Sequence, residues 1–174
     1  MLKKRGAELW SAAIAVGILL LDQVTKALVV QYLPAQVSWN PFPFLGRLVT
    51  LTHVRNTGAA FGLLSGQSSL LTVIAVGVMV MILLLFRQLP HQRRLIQLSL
   101  GLQLGGAAGN LIDRLRVGYV IDFIDFHFWP VFNVADSAIV IGVIILAYYL
   151  LFLVDKEQER PAEVADLSSL DSSS

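Results

Sequence analysis

Five aspartates stand in or beside apolar stretches of this chain: Asp22, Asp113, Asp122, Asp125 and Asp136. An ionised carboxylate at the centre of a membrane helix costs about 2.5–3.5 kcal/mol on insertion scales, so each of them needs a reason to be there. Two carboxylates brought within hydrogen-bonding range cannot both ionise, and they share one proton near neutral pH. The ionised member can take a proton from water while the protonated member hydrogen-bonds a carbonyl oxygen. Such a pair can hydrolyse an amide with neither a metal nor a covalent intermediate.

Each acid also has a structural reading. Asp22 and Lys26 are four residues apart, so on one helix they form a self-neutralising pair that lets a polar face meet a bundle interior. Asn110, Asp113 and Arg114 follow Gly101-x-x-x-Gly105-x-x-x-Gly109, a spacing that lets one membrane helix approach another closely. On a continuing helix Asn110 and Arg114 share a face. Asp113 and Arg114 can serve as an interfacial salt bridge or touch a substrate. Asp122 lies in Gly118-Tyr-Val-Ile-Asp-Phe-Ile-Asp-Phe126, among large apolar residues that raise a carboxyl pKa. Asp125 faces away from Asp122 in a strand and shares its face in a helix, and the residues alone leave the two open. Asp136, in Phe132-Asn-Val-Ala-Asp-Ser137, sits where a helix N-terminus favours negative charge. Asn133 is placed to cap that helix.

Other chemistries lack their residues. There is no cysteine, hence no disulfide, thiolate nucleophile or Cys-ligated metal. His53, His91 and His127 form no H-E-x-x-H pair, and no G-x-S-x-G, S-x-x-K, Walker or G-x-G-x-x-G motif occurs. No metal or cofactor is expected.

The elements that must position these acids follow from composition. Of 174 residues, 56% are hydrophobic and only 14% charged, and the net charge is +1. Soluble domains carry about 25% charged residues, so disorder, nucleic-acid binding and an ordinary soluble domain are all disfavoured. A helix needs about 20 apolar residues to cross a bilayer. Four stretches qualify, over about 9–30, 68–86, 95–111 and 134–154. They predict an all-α membrane protein: a four-transmembrane-helix bundle within a single domain, 1–154, followed by an acidic, Ser-rich disordered tail, 155–174. Lys3, Lys4, Arg5, Arg87, Arg93, Arg94, Lys156 and Arg160 fall on one side, and Arg47, Arg55, Arg114 and Arg116 on the other. The positive-inside rule puts both termini in the cytoplasm and loops 31–67 and 112–133 outside. The basic start resembles a signal peptide, but without a small-x-small cleavage site it reads as a retained helix. In the first outer loop, Arg47–Arg55 is rich in β-branched residues and ends in the turn signal Asn56-Thr57-Gly58. It predicts a small extracytoplasmic β element. Trp39, Phe42, Phe44, Phe128 and Trp129 suit an interfacial aromatic belt.

Five segments, in order, resemble the signature boxes of bacterial lipoprotein signal peptidase (signal peptidase II). They are Asp22-Gln-Val-Thr-Lys26, Arg55-Asn-Thr-Gly-Ala-Ala-Phe-Gly62, Gly105-Gly-Ala-Ala-Gly-Asn-Leu-Ile-Asp-Arg114, Val120-Ile-Asp-Phe123 and Phe132-Asn-Val-Ala-Asp-Ser137. The second closes on Gly62 where the family pattern has Ser, and Asp125 matches no position of the family's chemistry. The resemblance implies that Asp122 and Asp136 are the catalytic pair. It implies that Asn56, Asn110, Arg114 and Asn133 contact the substrate backbone or the inhibitor globomycin. Asp113 would hold Arg114 or the local fold, and Asp22 and Lys26 would be structural support. It implies a multi-pass enzyme of the bacterial cytoplasmic (inner) membrane, with its site near the outer face among membrane lipids; a monomer is expected. The substrates implied are diacylglyceryl-modified prolipoproteins, cut just before the lipid-bearing cysteine.

Two other functions fit parts of the pattern. A small proton-coupled transporter would make Asp22 essential and leave Asp122 and Asp136 as loop anchors. A non-enzymatic assembly factor would tolerate substitution at all three.

Overall fold

A computed structural model describes residues 2–41, 44, 48–58, 66–88 and 93–153. The elements are α1 (Leu2–Tyr32), β1 (Ser38–Trp39), β2 (Thr50–Asn56), α2 (Ser68–Gln88), α3 (Arg94–Val117), β3 (Val120–Asp125) and α4 (Val134–Phe152). The protein is mostly helical, with one small sheet. Three of the described helices are long and apolar enough to cross a membrane: Glu8–Tyr32, Arg94–Val117 and Val134–Phe152. The described apolar run of α2, Ser68–Leu84, is shorter. The expected tail 155–174, Gly62, Phe42, Arg47 and His91 lie outside the described residues.

The packing is inside out relative to a soluble domain. Leu20, Val24, Val73, Val140, Ile144 and Leu151 are exposed, whereas Asp22, Lys26, Ser99, Gln103, Asn110 and Asp113 are buried. An apolar solvent would make this sorting favourable, because only the polar groups need shelter. Helix α3 occupies the middle, against α1, α2 and α4.

The glycine repeat faces α1. A Cβ on Gly101 would lie 2.6 Å from Ile14 side-chain atoms, and one on Gly105 would lie 2.5 Å from the Ala15 carbonyl oxygen. The other flank of α3 uses a glycine outside the repeat. Gly106 lies against the Ala135 carbonyl of α4, and Gly142 of α4 lies against Gln103 and the Ser99 carbonyl of α3. There the Ser99 hydroxyl donates to the Gly142 carbonyl at 2.8 Å and receives Gln103 Nε2 at 2.9 Å. Van der Waals approach and polar bonds of this kind join helices where lipid supplies no hydrophobic drive.

Two boundaries correct the sequence reading. Helix α3 does not end at about residue 111; it runs to Val117, so Arg114 and Arg116 lie in its last turns and not in an outer loop. The charges do not break it because Asp113 is buried against a cation, and it stops at Gly118, whose φ of 82° is left-handed and whose N–H reaches the Arg114 carbonyl. The β element is larger than Arg47–Arg55. It is a three-stranded antiparallel sheet in the order β1-β2-β3, and its third strand comes from the connection after α3. Val54 pairs with Asp122 and Asn56 with Val120, after a register shift between Leu51 and Val54. Val29 of α1 packs with Ile121 and Phe123 beneath the sheet, and His53 Nδ1 meets the Leu33 carbonyl at 2.8 Å.

If these approaches hold the bundle, Gly105→Ala should cost about 1–3 kcal/mol of stability through overpacking. Gly77→Ala on α2, where a Cβ meets nothing within 4 Å, should cost nothing. Melting curves of the two variants in detergent compare them; equal melting temperatures would remove this account.

Candidate active site

Asp122 and Asn56 reach each other because of strand pairing. Val54 stands opposite Asp122, so Asn56, two residues on, is its diagonal neighbour on the same face. Asn56 Nδ2 donates to Asp122 Oδ2 at 2.8 Å. The Asn56 carboxamide oxygen accepts the Gly58 N–H at 2.9 Å, which fixes the amide's orientation. The strand also resolves the Asp125 alternative. Asp125 points the other way, accepting from Thr52 Oγ1 at 2.9 Å and from the His127 N–H at 2.8 Å.

Asp136 reaches the same place from α4. Asn133 caps that helix in a reciprocal box: its side-chain oxygen accepts the Asp136 N–H at 2.9 Å, and its own N–H donates to Asp136 Oδ2 at 3.2 Å. Its Nδ2 then donates to Asp122 Oδ1 at 2.7 Å. Asn133, which is fully buried, therefore caps the helix and clasps both aspartates. Asn110, from the middle of α3, donates Nδ2 to Asp136 Oδ1 at 2.7 Å. Each of the four carboxylate oxygens thus accepts an N–H.

Burial pushes the Asp122 carboxyl up to about 7, and the charge of Asp136 adds to this; the Asn56 and Asn133 amides and the Lys26 charge oppose it. Near neutral pH this side chain is poised to hold or release a proton. The Arg114 guanidinium is half-buried, with Nη1 3.4 Å from the Asn110 carbonyl, in the field of Asp136, Asp122 and Asp113.

Beneath this layer lies a second charge cluster. Lys26 Nζ is 2.8 Å from Asp22 Oδ2 and 2.8 Å from Asp113 Oδ2. It is therefore shared between two carboxylates, and not simply paired with Asp22. Of the two roles expected for Asp113, holding Arg114 or holding the local fold, its contacts are those of the second. Its carboxylate goes to Lys26, to Gln23 Nε2 at 3.1 Å and to the Ile121 N–H at 3.2 Å, which ties α1, α3 and β3 together. Asp22 accepts the Ala135 N–H at 3.0 Å, binding α1 to the first turn of α4. Gln23, which sequence reasoning did not single out, spans Asp22, Asp113 and the Gly109 carbonyl. A polar residue beside Asp22 in an apolar run was its only signal.

All nine residues expected at the site fall into these two connected layers: Asn56, Asn110, Arg114, Asp122, Asn133 and Asp136 above, Asp22, Lys26 and Asp113 below. Among the described residues no group of three or more His, Asp or Glu side chains could hold a metal ion. An apolar cavity of about 440 Å³ opens beside Asp136, lined by Phe126, Phe128, Trp129, Phe132 and Val140.

A bundle of apolar-surfaced helices sheltering two amide-ringed carboxylates is the architecture of a membrane enzyme. The family model of signal peptidase (SPase) II matches residues 14–152. The lipoprotein signal peptidase of Moorella thermoacetica is 46% identical over 151 residues, covering 85% of this chain and 97% of that protein. That of Bacillus velezensis is 41% identical over 152 residues, covering 84% and 97%. A solved structure described as a bacterial membrane enzyme, determined by the in meso method at 2.3 Å, superposes with a TM-score of 0.75 at 34% identity, over 81% of this chain and 87% of that one. The chain belongs to the signal peptidase II family, a family of membrane peptidases. The transporter alternative receives no support.

Capping and clasping by Asn133 can be separated. Asn133→Ala should lose about 1 kcal/mol of helix-cap stability, and Asn133→Ser should recover most of it, since Ser caps as well as Asn. Neither retains the amide that reaches Asp122, so peptidase turnover should stay low in both. Recovery of activity together with stability in the Ser variant would reduce Asn133 to a cap.

Proposed function

We propose that the protein removes signal peptides from diacylglyceryl-modified prolipoproteins, cutting just before the lipid-bearing cysteine, with Asp122 and Asp136 as the catalytic residues. The observation that carries this reading is the shared clasp: one asparagine holds both carboxyls, Asp122 buried and Asp136 half-buried, in an amide-lined setting next to an apolar cavity.

In this reading Asp122 carries the shared proton, since its pKa is pushed up to about 7, and Asp136 is the base. Asp136 takes a proton from water as the water oxygen bonds to the scissile carbonyl carbon, and Asp122 gives its proton to the carbonyl oxygen. The tetrahedral diol then collapses: the carbon–nitrogen bond breaks, the amine leaves with the proton held by Asp136, and a hydroxyl proton returns to Asp122. No bond to the enzyme forms. Asn56, Asn110, Arg114 and Asn133 supply donors for the unwound peptide, which needs partners at membrane depth. The cavity beside Asp136 receives apolar parts of the substrate.

The same reading takes residues 1–154 as one domain with α2 as a fourth span, and with both termini cytoplasmic from the distribution of Lys and Arg. That topology puts the sheet end at the outer face. Trp39, Phe44, Phe128 and Trp129, all exposed, suit an interface there. All the site residues come from one chain, so a monomer suffices.

Purified protein incubated with a diacylglyceryl-modified precursor should release the signal peptide, and globomycin should block release. Asp122→Asn and Asp136→Asn should each lower turnover at least a hundredfold or so with folding intact; near-normal turnover of either would refute the pair. Because the proton on Asp122 is lost as pH rises through about 7, the rate should fall on the alkaline side of that value. A rate flat from about pH 6 to 9, well either side of that midpoint, would contradict the proton assignment. Chelators should leave the rate unchanged, and zinc-restorable inhibition by EDTA would argue against a metal-free pair.

A further inference from the structure

We propose that Lys26 is a positioning residue for the reaction: its buried ammonium sets the polarity of the Asn110 carboxamide, so that Asn110 presents N–H, and not oxygen, to Asp136. The inference rests on the catalytic pair proposed above and adds to it a residue of the lower layer.

A carboxamide is nearly symmetric in shape, but one end donates and the other accepts. Three asparagine amides donate to the two aspartates, and each must be held with its nitrogen toward them. Asn56 is held by the Gly58 N–H on its oxygen, and Asn133 by the Asp136 N–H on its oxygen. Both locks are backbone groups two or three residues downstream, available because these asparagines sit at a strand end and a helix cap. Asn110 sits inside α3, where the backbone N–H groups are committed to the helix. Its oxygen is held by side chains instead: Lys26 Nζ at 2.9 Å and Asn133 Nδ2 at 3.1 Å. Lys26 is the charged and stronger donor of the two.

Reversing the Asn110 amide would set its NH2 against an ammonium and its oxygen against the Asp136 carboxylate, two repulsions in a buried site. The cation rules that state out. Lys26 is 2% exposed, and its three N–H bonds go to Asp22, Asp113 and Asn110. Pairing with the two aspartates uses only two of them. The third bond is the one that connects the lower cluster to the chemistry. The charged groups facing Asp136 are Asp122 from β3, Arg114 from α3, and Lys26 and Asp22 from α1.

The test is a mutant cycle on kcat and its pH profile in detergent-purified protein, with folding checked by thermal melting. Lys26→Met combined with Asp113→Asn keeps the net charge of the lower cluster unchanged. This double variant should lose kcat by about tenfold or more, the scale of one hydrogen bond to a charged group, with KM held. Its pH–rate profile should move by about one unit. Asn110→Ala should lose kcat as well, and adding it to the double variant should bring no further loss, because Lys26 acts through Asn110. A folded double variant with unchanged kcat and pH profile, or losses that multiply with those of Asn110→Ala, would overturn the proposal. A second measurement needs no change at Lys26. In 15N-asparagine-labelled protein the Asn110 NH2 resonance, identified by its loss in Asn110→Ala, should titrate with the midpoint of the kcat profile. A resonance indifferent to pH over that range would also overturn it. Activity surviving in Asp122→Asn or Asp136→Asn would instead strike the catalytic pair itself.

Discussion

A buried carboxylate is tolerable only where fixed donors replace the water it has lost. This molecule buries three, Asp22, Asp113 and Asp122, and half-buries Asp136, within two connected layers, and its architecture is largely a means of delivering donors to them. Asp22 and Asp113 receive an ammonium, backbone N–H groups and Gln23. Asp122 and Asp136 receive only neutral donors, three amides and one backbone N–H. Burial and the charge of Asp136 push the Asp122 carboxyl up to about 7, and its neutral amide donors oppose that rise without abolishing it. The two layers thus differ in the charge of the donors that their carboxylates receive.

Close helix approach makes that delivery possible. Lys26 must reach Asp113 and Asn110 on α3 while its own stem stays packed, and the Asp22 carboxylate must reach the N-terminal turn of α4. Gly109 lies directly against Asp22, so a side chain there would displace the acid that binds α1 to α4. The glycines of α3 therefore do more than fit helices together. They set the distance over which the polar layers connect.

Much of this was legible in order and kind, and less of it in partnership. The Asp22–Lys26 spacing announces an ion pair because i and i+4 share a helical face whatever the tertiary fold. That Asp113 completes the bridge depends on the crossing of α1 and α3, which no local spacing encodes. Gly101, Gly105 and Gly109 signal one close contact by their period, but Gly106 and Gly142 serve the other flank singly and leave no periodic trace. Asn133 reads as a helix cap from its distance to Asp136, yet its reach to Asp122 depends on β3 lying beside the helix start. The β3 strand was ambiguous because a three-residue spacing between acids suits opposite faces of a strand or one face of a helix. Pairing with β2, about 65 residues earlier, decides it.

The three amides around Asp122 and Asp136 share one problem and solve it at different ranges. An asparagine at a turn or cap can borrow the next free backbone N–H, so its polarity is a local property carried by a few consecutive residues. An asparagine inside a helix has no free N–H nearby, and its polarity has to come from another element. In this chain that element is the first helix, and the group it supplies is a full positive charge. A buried lysine with two acidic neighbours reads at first as a device for bundle stability. Its third hydrogen bond makes the same residue part of the geometry that keeps a donor aimed at Asp136.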